Sequence, residues 1–113
     1  MGCIHSTSEN THVPPPAFAA HCLDQAKTSV ENAREVLEKS RSVEKGDLNK
    51  VRKEKEVQRC IEDLEHAQRE LDLFRNKTVN TTELRRNTIV VKVRTETLDK
   101  FVSILVEYLS SKV

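Results

Sequence analysis

The sequence predicts an all-α protein: an up-down-up antiparallel bundle of three long, coiled-coil-like helices, preceded by a flexible, acylated N-terminal stalk. Three observations carry that expectation. Apolar residues recur in alternating steps of three and four along three segments. Those segments match in length, and only two of the 113 residues are glycine, which leaves almost nothing suited to strand-to-strand turns. Leu, Ile, Val and Phe fill 30 positions, about 27%, above the roughly one-fifth below which such chains stay disordered. One small core can form; a chain this short cannot support two.

Residues 1–16 are polar and end in Val13-Pro14-Pro15-Pro16, a solvated spacer stiffened by proline. From residue 17 the period turns helical, with a seam at Ala19, Leu23, Ala26, Val30, Ala33, Leu37 and Ser40. The first helix is expected over 17–45, ended by Gly46 in a left-handed conformation, with Asp47 as the N-cap of the next. The second, over 48–76, has its cleanest repeat at Val57, Cys60, Leu64, Ala67, Leu71 and Phe74, behind three polar turns. Asn80 followed by Glu83 reads as a variant capping box opening a third helix over 81–111. Its seam runs Leu84, Thr88, Val91, Thr95, Leu98, Val102, Leu105 and Leu109 without a break. The β-branched stretch Thr88–Val93 favours a strand by propensity, but no second strand exists to pair it, so the periodicity decides for helix.

Each helix would be about 45 Å long, and an up-down-up arrangement packs such equal rods most simply. The architecture looks like the three-helix regulatory domains of syntaxin-type proteins or a spectrin-like repeat, by analogy of architecture without a shared motif. Facing residues of helices one and two should have numbers adding to about 92, and those of helices two and three to about 157, from the turn positions and the helical rise. On that register Cys22 and Cys60 stand too far apart for a disulfide and read as small apolar groups. No C-x-x-C or H-x-x-x-H spacing assembles metal ligands, so no metal or other cofactor is expected.

Met1-Gly2-Cys3-Ile4-His5-Ser6 matches M-G-x-x-x-[ST], in which Met1 is removed and the Gly2 amine is myristoylated. Cys3 is placed to take a second, thioester-linked palmitoyl chain. One myristoyl chain alone binds membranes marginally, and a second makes residence long-lived. The stretch resembles the dual-acylation N-termini of Src-like kinases, plant calcium-dependent kinases and many G-protein alpha subunits. Over these six residues the resemblance implies lipid anchoring and nothing about the fold. With no secretory h-region and no run of eighteen apolar residues, the expected location is the cytosolic face of a plasma membrane or endomembrane. The sequons Asn76-Lys77-Thr78 and Asn80-Thr81-Thr82 are then expected to stay unused.

Nineteen Lys and Arg balance eighteen Asp and Glu, and no aromatic residues interleave the basic ones to stack bases, so no nucleic-acid partner is expected. Arg75, Lys77, Arg85 and Arg86 should gather at the pole tied to the stalk, where they could meet anionic lipid. At the opposite pole Arg41, Lys45, Lys50, Arg52, Lys53, Lys55 and Arg59, mixed with Glu44, Asp47, Glu54 and Glu56, read as a solvated face. Phe101, Ile104 and Tyr108 form a second apolar stripe on helix three, read as a surface for a protein partner or a second copy. Glycine-poor composition and the lack of a Ser, His and Asp grouping exclude an enzyme, and no small-molecule substrate is expected. The expected role is a non-catalytic, membrane-anchored adaptor, in trafficking or signalling, with a self-assembling coat or cytoskeletal element on the inner membrane face as the alternative.

Overall fold

The computed structural model describes residues 15–43, 46–77 and 81–111. They form three helices packed against one another, α1 (Pro15–Ser42), α2 (Leu48–Lys77) and α3 (Thr81–Ser111), with no strand among the described residues. Residues 1–14, with Gly2, Cys3 and most of the proposed stalk, lie outside them, as does Asn80 of the proposed capping box.

Helix α1 starts two residues earlier than its apolar period, because Pro15 and Pro16 fit a first turn whose amides have no intrahelical acceptor. It stops at Ser42, three residues short of the expected end. Val43 N–H donates to the Ser40 carbonyl (3.2 Å) and the Ser42 hydroxyl to the Lys39 carbonyl (2.8 Å), so the last turn closes on itself. Gly46 then takes φ +93°, a conformation that costs a side-chain-bearing residue about 1 kcal/mol or more. Asp47 caps α2 as expected: its Oδ1 accepts from the Asn49 and Lys50 amides at 3.0 and 3.2 Å.

The core is the meeting of three seams. On α3 every seam position from Leu84 to Leu105 is buried, and the run 88–93 is helical. Thr88 and Thr95 fit because each hydroxyl donates to the carbonyl one turn back, Leu84 and Val91, at 2.7 Å, leaving the methyl for packing. On α1 the seam passes through Cys22 rather than Leu23, and on α2 through Ile61 rather than Cys60; the replaced residues sit half-buried at its edge. Each shift is one residue, and the seam rejoins its expected positions one step later, at Ala26 on α1 and Leu64 on α2. Across α1 and α2, Ser40 meets Lys50 and Glu54, and Arg34 meets Glu65; across α2 and α3, Tyr108 meets Asp47 and Lys53. These pairs fall within two turns of the antiparallel register.

Candidate functional site

The face expected to be solvated at the α1–α2 turn is partly the inside of the protein. Lys50 and Glu54 are 3% and 7% exposed, and Ser40 is fully buried. They continue the α2 seam backward from Val57 at helical spacing, so an i, i+4 pair of opposite charges occupies core positions. Lys50 Nζ donates to Glu54 Oε2 and to the Ser40 carbonyl, both at 2.8 Å, and the Ser40 hydroxyl donates to the same carboxylate oxygen. Burial alone would push the Glu54 carboxyl up. The Lys50 and Ser40 hydrogen bonds, with the Lys50 and Arg41 charges, outweigh it and hold the group below its ordinary value of 4.5. No buried side-chain nitrogen or oxygen among the described residues lacks a hydrogen-bond partner. The polar groups answer one another and aim nothing at a ligand.

The stripe Phe101, Ile104, Tyr108 is divided by the packing. Phe101 is half-buried against the core, and Ile104 stays 36% exposed. Tyr108 is tied inward: its hydroxyl donates to Asp47 Oδ2 at 2.7 Å, and Lys53 Nζ lies 4.9 Å from the ring centroid. The same carboxylate therefore caps α2 and anchors the last turns of α3.

At the other pole, Arg75 pairs with Asp72 at 3.2 Å and Arg86 with Glu83 at 2.7 Å, each across one helical turn. Arg85 is exposed, and the Lys77 side chain lies outside the described residues. Both ion pairs lie at the surface between partly exposed side chains, with the Arg86 side chain 66% open.

An open apolar surface lies elsewhere, midway along α3, where Ile89, Val90 and Val93 are 54%, 37% and 51% exposed. With Cys60 of α2 they line a groove of about 350 Å³. Its signal was present in the sequence: the β-branched run from 88 to 93 holds more apolar residues than one seam uses, and Ile89, Val90 and Val93 are the ones left over. Burial, with the nearby Asp63 and Glu56 charges, pushes the Cys60 thiol up despite Arg59, so the sulfur is a neutral, weakly polar wall at pH 7. Burial likewise raises the Cys22 thiol, opposed by Lys92. Both thiols are free, and no three His, Cys, Asp or Glu among the described residues are grouped to hold a metal. No described helix is long and apolar enough to cross a membrane.

Comparison with protein-family models, curated proteins and solved structures found no match for this chain.

Proposed function

We propose that the chain is a non-catalytic adaptor, held on the cytosolic face of a membrane by acyl chains on Gly2 and Cys3, that presents a three-helix bundle to another protein. The observation that carries this reading is the Met1-Gly2-Cys3-Ile4-His5-Ser6 stretch, joined to a folded unit by a short proline-containing segment. Fourteen residues precede α1, and an extended chain covers about 3.4 Å per residue, so the anchor and the bundle reach one membrane together without fixing the bundle's orientation. The bundle itself supports an interaction role over catalysis, since its buried polar groups are engaged with each other while Ile104 and Val106 stay partly open toward the end of α3, apart from the groove.

Metabolic labelling with an alkynyl myristate analogue, followed by cell fractionation, tests the reading. The wild-type chain should carry the label and sediment with membranes, Gly2→Ala should lose the label and become soluble, and Cys3→Ser should keep the label but wash off. A Gly2→Ala chain that stays on membranes sinks the proposal.

A further inference from the structure

We infer that the groove between α2 and α3 houses the acyl chain of Gly2 whenever the protein is off the membrane, an inference that rests on the acylation of Gly2 proposed above.

The size fits. An enclosed cavity of about 150 Å³ holds a benzene ring, and this groove, open along one side, offers more than twice that at about 350 Å³. Its chemistry fits as well. Ile89, Val90 and Val93 supply aliphatic wall, and Cys60 faces them as a protonated thiol. Thr97 also lines the groove, and its hydroxyl already donates to the Val93 carbonyl at 3.0 Å, so covering it strands no donor. The opposite charges of Asp63 and Arg94 complete the lining.

Reach is sufficient. Cys22 of α1 stands level with Lys92 and Thr95 of α3, since all three border one pocket, which places the start of α1 about 10 Å lower, beside the N-terminal turns of α3. The groove lies between that level and Thr97, around the side of the bundle. Thirteen residues from Gly2 to Pro14 extend to about 45 Å, more than the path requires.

Area argues against a second copy as the occupant. Three partly exposed aliphatic side chains offer on the order of 250 Å², far below the roughly 800 Å² per partner of a stable interface. A single acyl chain needs no more than the groove holds. Storage there competes with insertion into the bilayer, so the apparent membrane affinity of the singly acylated protein is lowered by the fraction of time the chain is sheltered.

The test uses the full-length protein carrying ¹³C-labelled tetradecanoyl-glycine, joined chemically at Cys3 so that the acyl group is present whether or not cells attach it. In solution, nuclear Overhauser contacts should connect acyl methylenes to the methyls of Ile89, Val90 and Val93. On neutral phosphatidylcholine vesicles, Val93→Glu and Val93→Trp, which spoil or fill the groove at an exposed position, should bind about tenfold more tightly than the wild type. Absent contacts together with equal vesicle binding by all three proteins would overturn the inference. So would a dimer of the non-acylated chain that Val93→Glu dissolves, because a second copy would then be the occupant. The mass of the protein isolated from cells separately reports whether Gly2 is acylated at all.

Discussion

The two halves of α2 pack by different means. From Val57 to Leu71 its inward face is apolar and almost wholly dry, and it meets seams of the same kind on α1 and α3. From Leu48 to Glu54 the inward face is Lys50 and Glu54, closed by Ser40 of α1, with Asp47 and Lys53 gathering Tyr108 of α3. Apolar packing is non-directional and tolerates sliding along the seam. A buried ammonium, carboxylate and hydroxyl satisfy one another in few arrangements, so the polar end is expected to favour one register where the apolar half tolerates several.

Several substitutions would break or sharpen that contrast. Replacing one member of the buried pair has the largest expected effect. Lys50→Ala or Glu54→Ala leaves an uncompensated charge inside and should cost about 3–5 kcal/mol in urea unfolding, whereas Lys50→Met combined with Glu54→Leu should recover most of it. A double variant as unstable as the singles would mean that the pair contributes net stability and not register alone. In the apolar half, Leu64→Ala, at a fully buried position, should cost about 2–5 kcal/mol through lost transfer energy and the cavity left behind. Asp47→Ala removes the α2 cap and the Tyr108 acceptor together. It should cost about 1–2 kcal/mol, and Tyr108→Phe about 1 kcal/mol or less, by the same measurement.

Acid should act on the polar end. The folded-state value of Glu54 lies below its ordinary 4.5, so its contribution is fully present above that value and is lost as the pH falls through the depressed one. Denaturant midpoints of the wild type should fall on acidification below pH 4.5, and the Lys50→Met, Glu54→Leu variant should show a shallower fall. The smallest effect is expected at the open surface, where Ile89→Ser should change stability by no more than about 0.5 kcal/mol.

Much of this architecture was legible in the residue pattern. The α3 seam was readable to the residue because eight regular steps outweigh the strand propensity of a short β-branched run. The Asp47 cap and the left-handed Gly46 were readable because each rests on local chemistry. The Ser40, Lys50 and Glu54 cluster was not, since charged residues are ordinarily solvated, and only the tertiary packing shows that these two meet each other inside. For a related reason a helical wheel places Tyr108 on its face of α3 but does not show the Asp47 carboxylate, at the N-cap of α2, that accepts from its hydroxyl. The groove lay one step beyond the pattern, in the aliphatic residues that the seam did not use. Gly2, Cys3 and Lys77 carry functional expectations that rest on sequence alone.

The central functional claim is the lipid anchor, and intact-protein mass spectrometry of the chain isolated from its own cells tests it most directly. The account predicts loss of Met1, a tetradecanoyl group in amide linkage on Gly2, and a hydroxylamine-labile acyl group on Cys3. A free glycine amine beside an unmodified Cys3 thiol would contradict it.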